Sequence, residues 1–425
     1  MHSSMKRKKK VALIGNMNNN FFTLCRYLRD LDFEAILYVL PYDPQHFLPS
    51  ADTFKENYVE YVKTLSWGNP YELRHVTTVE IQREFGNYDY LIGCGTAPAY
   101  LSKAGMRLDL FIPYGSDLYH YPFFNLFSPD KLLKYVLSLF RKAKEVQQLP
   151  SKPTNIKGYL PFVMHQRRGI RQAVTAFFPT SGQDIYAQAL RKLKFSNTHL
   201  IMAIPLIYVP EFGADVIHEQ YSSSKWYPEF SKIRANFDFL IFHNCRHNWK
   251  NEKDPSSFKG NNRLLEGFAQ FFKTYSGKAA IITFEYGTDV DESKKLAKHL
   301  DIEKNISWFS VLPRKELMVG MSLCDIVVGN LSDLSWSIYG VVTESMALGK
   351  PLMHHRQDEL YHPESLYPMI NANNSEMVAN ALTHYASNKA SLKEIGMKAN
   401  EWFKGTSIHA PLTRIADLIN SKKID

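Results

Sequence analysis

Short apolar runs alternate with helix-patterned stretches along the whole chain, and the pattern is completed twice. In the first half the runs fall at 11–15, 34–40, 90–93, 108–113, 174–178 and 200–204. In the second half they fall at 237–242, 279–284, 306–309 and 326–328. Residues 18–31 put Phe22, Cys25, Leu28 and Leu31 on one helical face. Further helices are expected at 263–274, 292–300, 314–321 and 343–348. Continuous apolar runs suit strands covered by helices on both faces. Strands alternating with helices predict parallel sheets.

The expectation is an α/β fold of two Rossmann-like domains, and 425 residues is enough chain for two or three. The first domain is read as 1–208, a linker with a polar, Ser-rich stretch at 221–225 as 209–236, and the second domain as 237–400. A closing helix at 401–425 carries Trp402, Phe403, Leu412, Ile415 and Leu418. With 45% hydrophobic and 22% charged residues, the composition excludes a disordered, collagenous or coiled-coil chain. The four cysteines form no CxxC pair, which argues against a zinc ribbon or disulfide framework and for a reducing cytosol. No apolar run reaches the roughly 18–20 residues that cross a bilayer. The basic start, 1–10, lacks the apolar core of a secretory signal.

Charge is unevenly spread. Residues 1–208 hold 26 Lys and Arg against 16 Asp and Glu, a net +10, whereas the remainder nets −1. The first half therefore expects an anionic partner. Residues 131–171 contain ten cations and one acid, Glu145. An amphipathic helix is read at 130–144, with Leu132, Leu133, Val136, Leu137 and Phe140 on one side and Lys131, Lys134, Arg141, Lys142 and Lys144 elsewhere. Such a helix suits an anionic membrane surface, or else packs its apolar side on its own core. No nucleic-acid motif accompanies it, so nucleic acid is not an expected partner.

The richest motif runs from Gly340 to Pro351, G-V-V-T-E-S-M-A-L-G-K-P. Glu344 is read as opening a short helix that ends at Gly349. A carboxylate there accepts both hydroxyl hydrogens of a ribose diol, or it simply sits well at a helix start. A second motif is Phe242-His-Asn-Cys-Arg246 followed by Phe258-Lys259-Gly260-Asn-Asn-Arg263. Cations after a parallel strand lie where α/β proteins bind ligands. Arg246 and Lys259 either neutralise a diphosphate or are ordinary loop charges.

These residues resemble retaining glycosyltransferases of the GT-B fold, in particular the family-four group that uses nucleotide-sugar donors. The likeness is strong over roughly 237–405 and one of layout before it. It implies an N-terminal acceptor-binding domain, a C-terminal donor-binding domain, a donor between them and a last helix crossing back to the first domain. It further implies that Arg246 and Lys259 hold the donor diphosphate and that Glu344, Ser345 and Gly340 belong to the donor site. The family's first motif carboxylate is replaced by Trp336, with Asp333, Ser335 and Ser337 nearby. In the first half, Gly15, Asn16 and Asn18 of Gly-Asn-Met-Asn-Asn-Asn fall where GT-B enzymes place a loop facing the donor. Asp117, in Tyr114-Gly-Ser-Asp, falls beside the family's reaction centre, to orient an acceptor hydroxyl, or is a turn aspartate.

No metal or cofactor is expected. Asp289 and Asp291 form a D-x-D but are read as caps of the next helix, Asp30 and Asp32 end a helix, and no histidine pair has metal-ligand spacing on a helix. His243 and His247 flank Arg246 and either approach the phosphate or, the preferred reading, are polar loop histidines. The functional expectation is a retaining, metal-independent transferase. It would move a sugar from a nucleotide-sugar to a glycan, for instance one carried on a polyprenyl diphosphate in surface-polysaccharide synthesis. Its place would be the cytoplasm, at the inner face of the membrane. The alternatives are a nucleotide-sugar epimerase of similar fold and a catalytically silent GT-B partner protein. A dehydrogenase ranks last, because G-x-G-x-x-G is absent.

Overall fold

A computed structural model describes residues 7–123, 156–178, 185–202, 204–251, 257–334 and 339–423. The basic helix read at 130–144, with Lys131, Lys134, Arg141, Lys142 and Lys144, lies outside the described residues, as do Ser335, Trp336 and Ser337. The chain divides into two compact units. One comprises Met1–Phe47, Tyr58–Ala203 and Ile415–Asp425; the other comprises Leu48–Asn57 and Ile204–Arg414.

The first unit is built on β1 (Lys10–Ile14), β2 (Glu34–Val39), β3 (Val62–Thr64), β4 (Tyr90–Gly93), β5 (Leu110–Phe111), β6 (Thr175–Phe178) and β7 (Thr198–Ile201). All pair in parallel, in the order β3-β2-β1-β4-β5-β6-β7. Val11 to Ile14 are buried without interruption, because β1 is central and covered on both faces. Lys9 Nζ donates to the carbonyls of Ile419 and Asn420 at 2.7 and 3.1 Å, and Lys422 pairs with buried Asp109 at 2.7 Å. These bonds tie the chain's last turns to this unit.

The second unit contains β8 (Phe239–His243), β9 (Ala279–Phe284), β10 (Ile306–Phe309), β11 (Ile326–Val328), β12 (Leu352–His354) and β13 (Ile370–Asn371). They form a parallel sheet ordered β10-β9-β8-β11-β12-β13. The helix Asn261–Phe272 buries Leu264, Leu265, Phe268 and Phe271, spaced for one face. A side chain at Gly267 would begin 2.7 Å from Val378 Cβ, so the glycine lets this helix lie close against Ser375–Ser387.

Three differences from the expected layout have physical causes. Residues 209–236 are not a bare linker: Val209–Phe212, Ile217–Ser223 and Tyr227–Asn236 are helical and belong to the second unit. Phe230 packs 4.8 Å from Phe309, and Ser224 donates to buried Glu316. Leu48–Asn57, from the first half, also belongs to the second unit, held by Glu211, which accepts from Thr53 Oγ1 and Phe54 N. Finally, the chain end is helical over Lys389–Phe403 and Ala410–Ser421, joined by a wide turn at Lys404–His409.

Candidate functional site

In an open α/β sheet, ligands bind outside the carboxyl ends of the strands where the strand order reverses. In the second unit the reversal lies between β8 and β11. The loop leaving β8 is Asn244-Cys-Arg-His247, and the helix Asn261–Phe272 starts beside it. Gly260 caps this helix with φ +68°, and a Cβ there would lie 2.8 Å from the Leu331 carbonyl oxygen that follows β11. Glycine is therefore required twice, for the left-handed backbone and for the close approach. Lys259, one residue earlier, is fixed through its backbone: its N–H donates to Asn248 O at 2.7 Å and its carbonyl accepts from Leu331 N at 3.1 Å. The lysine thus stands at the positive end of a twelve-residue helix.

The histidines are structural parts of this loop, not exposed loop residues. His243 is buried at the end of β8, its Nδ1 donating to Val328 O (2.9 Å) and its Nε2 accepting from Asn261 Nδ2 (2.9 Å). Burial pushes its pKa down to about 4. His247 is buried between Ser293 Oγ (2.9 Å) and Thr283 Oγ1 (3.0 Å), and burial pushes its pKa to about 3. Both are neutral anchors. Asp289 stands at the start of the helix Val290–His299, but its carboxylate does not cap that helix. It accepts from Trp249 N (2.6 Å) and Lys250 N (2.8 Å), closing the loop after β8 from the other side. Among the described residues no group of three or more His, Cys, Asp or Glu is placed to hold a metal ion.

Glu344 lies inside its helix, not at its start, because the helix begins at Gly340 and runs to Ala347. The residue is 8% exposed. Asn244 Nδ2 donates to Glu344 Oε2 at 3.1 Å, and Arg314 Nε lies 4.0 Å from Oε1. Burial raises the pKa of Glu344, while Arg314 and Asn244 pull it back and Asp52 adds to the rise. Gly340 is exposed, and even a methyl group there would come within 3.8 Å of Oε1. The carboxylate therefore lies just below the surface at a residue with no side chain.

The sequence-predicted charges all bear electrostatically on Cys245. Its thiol is pushed up to about 12 by burial, drawn down by Lys259 and Arg246 and raised by Glu344. Arg246 lies exposed on the loop after β8, Lys259 is bonded to it through Asn248, and Glu344 is bonded to it through Asn244. Ser345, by contrast, is fully buried and donates Oγ to Lys350 O at 2.8 Å, which closes the end of its own helix. Asp333 makes a two-pronged pair with Arg263 at 2.8 and 2.9 Å. Four buried side-chain atoms without a hydrogen-bond partner lie along this rim: Asn244 Oδ1, Ser332 Oγ and Arg356 Nη1 on loops, and Asn262 Oδ1 in the first turn of the helix Asn261–Phe272. Buried polar atoms are ordinarily paired, so this concentration singles the rim out.

In the first unit the strand order reverses between β1 and β4. Gly15 has φ +94°, and a Cβ there would lie 2.8 Å from Cys94 Sγ after β4. Asn18 and Asn19 take φ +49° and +60°, the left-handed geometry that asparagine tolerates. Asn16 is buried and uses its side chain internally, donating to Asn19 Oδ1 and Phe47 O and accepting from Phe22 N. Asn18 is exposed. Asp117 has no exposed surface; it accepts from Gly95 N (2.8 Å), Gly115 N (3.0 Å) and Tyr114 N (3.1 Å). Burial, opposed by these amides, pushes its pKa up to about 7. Its side chain joins two loops and presents no face to a substrate hydroxyl.

No family model matches the chain, and no curated protein sequence matches it. Solved structures do. Anabaena Alr3699/HepE in complex with UDP is 13% identical with a TM-score of 0.56, over 97% of this chain and 100% of that one. Sucrose-phosphate synthase from Thermosynechococcus elongatus is 13% identical with a TM-score of 0.57, over 97% and 98%. UDP-GlcNAc 2-epimerase from Neisseria meningitidis, bound to UDP-GlcNAc, is 12% identical with a TM-score of 0.54, over 97% and 99%. The fold is GT-B.

In this GT-B chain, sequence reasoning missed three residues of the Glu344 site. Asn244 lies inside the Phe242–Arg246 motif, where only the arginine carries a charge. Arg314 opens the helix Arg314–Ser322 and looks like an ordinary first-turn residue. Asp52 is 2% exposed and 3.1 Å from Arg314 Nε, a pairing that only the folded chain reveals.

Proposed function

We propose that this protein is a retaining, metal-independent glycosyltransferase of the family-four type, with a nucleotide-sugar donor held by the second unit. The observation that carries the reading is that Arg246, Lys259 and Glu344 all adjoin the loop after β8 at the strand-order reversal, Lys259 through its bond to Asn248 and Glu344 through its bond to Asn244. Arg246 and Lys259 stabilise the charge that builds on the departing diphosphate, and fixed cations act most strongly where charge develops. Glu344 accepts the ribose hydroxyl hydrogens. Asp117 acts by fixing the loops after β4 and β5, not by touching the acceptor. Uridine diphosphate is the donor nucleotide of choice, because HepE of the same fold is solved with UDP and with UDP-glucose.

The acceptor is a glycan, carried on a polyprenyl diphosphate in surface-polysaccharide synthesis. The basic first half supplies the cations for that diphosphate and for an anionic membrane surface. No helix among the described residues is long and apolar enough to cross a membrane. An epimerase is the second reading, favoured by the fold shared with the Neisseria enzyme.

The test is incubation with a panel of UDP-sugars, with and without lipid-linked glycans, in the presence of EDTA. Acceptor-dependent UDP release supports the transferase. Epimerised UDP-sugar without any acceptor supports the second reading, and activity that EDTA abolishes and manganese restores contradicts the metal-free mechanism.

A further inference from the structure

The guanidinium of Arg314 stands between two buried carboxylates and treats them unequally. Its Nε is 3.1 Å from Asp52 Oδ1, within hydrogen-bond reach, and 4.0 Å from Glu344 Oε1, beyond it. Its Nη1 donates to Leu206 O at 2.7 Å. The close ion pair is with Asp52 and a hydrogen bond goes to Leu206, while Glu344 lies farther off and feels the charge at 4.0 Å.

Asp52 is held firmly enough to do this. It sits in Leu48–Asn57, the stretch of the first half that belongs to the second unit. Next to it, Thr53 Oγ1 meets both oxygens of Glu211 at 2.7 and 2.8 Å, and Phe54 N donates to the same carboxylate at 3.1 Å. Lys315, the neighbour of Arg314, donates to Thr53 O at 3.1 Å and lies 4.9 Å above the Phe54 ring. The segment is thus stitched to the helix that carries Arg314.

An arginine facing a carboxylate closes on it with two parallel hydrogen bonds when nothing competes. Such a pair would occupy the oxygens that a ribose diol needs. We infer that Asp52 is a positioning residue for nucleotide binding: it holds Arg314 off Glu344, leaving Oε1 free for the ribose while the cation stays beside it. This rests on the assignment of Glu344 to the ribose made above. The charged and polar groups that act on Glu344 are Arg314, Asn244 and Asp52, and Lys259 and Arg246 act with Glu344 on the neighbouring Cys245.

The experiment measures, by calorimetry on the full chain, affinity for UDP and for 2′,3′-dideoxy-UDP between pH 6 and 8.5. The ratio of the two reads the ribose contact and cancels any general loss of fold. Wild-type protein should prefer UDP by about tenfold or more, the scale of hydrogen bonds to a charged acceptor. In Asp52→Asn the ratio should fall toward one at pH 7.5, because Arg314 turns to Glu344. Adding Arg314→Met to that variant should restore the ratio at pH 8.5, which a merely structural role for Asp52 would not do. Arg314→Met alone should keep the ratio at pH 8.5 but lose it at a higher pH than wild type, since the cation that opposes protonation is gone. If Asp52→Asn does not fold, Asp52→Ser gives the same readout. A wild-type ratio near one overturns the ribose assignment, and this inference with it. A wild-type preference that Glu344→Gln removes but Asp52→Asn leaves unchanged at every pH overturns this inference alone.

Discussion

Asn244 Nδ2 donates to Glu344 Oε2 at 3.1 Å, joining the end of β8 to the helix Gly340–Ala347 across the point where the strand order reverses. The bond steadies a carboxylate that burial would otherwise drive toward its protonated form. Asn244→Leu should therefore raise the Glu344 pKa further. Nucleotide affinity should drop by about tenfold, near the energy of one hydrogen bond to a charged group, and the loss should grow as the pH is lowered. A pH-independent loss in calorimetry would mean that the asparagine contributes packing only.

Arg246→Ala and Lys259→Ala should each lower turnover by about 10²–10³, the scale of removing one preorganised charge-stabilising group. Arg246 is exposed, so its replacement should leave the melting temperature unchanged. Steady-state rates within a few-fold of wild type in both variants would remove the two cations from the site.

Gly260→Ala forces a side chain into φ +68° and onto the Leu331 carbonyl at 2.8 Å. The cost should be about 1–3 kcal/mol of stability, the range for strained backbone positions. Because Leu331 also fixes Lys259, nucleotide affinity should fall together with the melting temperature. A full-affinity variant would show that the lysine's position does not depend on this contact.

Asp117→Asn puts an amide N–H₂ against a cradle of backbone N–H groups and should cost about 1–3 kcal/mol, as an unmet buried donor does. The pH sign follows from the raised pKa of about 7, against about 3.9 for an unfolded aspartate. Between those values the folded chain holds a proton that the unfolded chain has released, so this group's contribution falls as pH rises from about 4 to 7. The wild type's advantage over Asp117→Asn should shrink across that window and stay flat above it. Denaturant unfolding at several pH values checks this; a difference constant from pH 4 to 8 contradicts it.

The central strands were legible because they are covered on both faces, so β1, β8 and β9 read as unbroken apolar runs. β3 and β13 are edge strands of three and two residues, too short to show a period. The start of the Glu344 helix, at Gly340, carries little sequence signal for a related reason. Val341, Val342 and Thr343 are β-branched and poor helix formers, and Tyr339 before them makes no side-chain cap bond. A buried Asp117 and an exposed turn aspartate look alike in Gly-Ser-Asp, since burial is decided by what packs on the loop. Asp52 and Arg314 are far apart in sequence, and nothing local to either residue signals the other.

The account stands most directly on Glu344. Calorimetric titration of the full chain with UDP at pH 8 should show binding for wild type and a loss of about tenfold or more for Glu344→Gln, whose amide cannot accept from both ribose hydroxyls. The same substitution should leave the free protein as stable as wild type or more so, because it removes a buried charge whose pKa burial has raised. Equal UDP affinity in the two proteins, or a loss of affinity that merely follows a loss of stability, would contradict the claim that this carboxylate holds the donor.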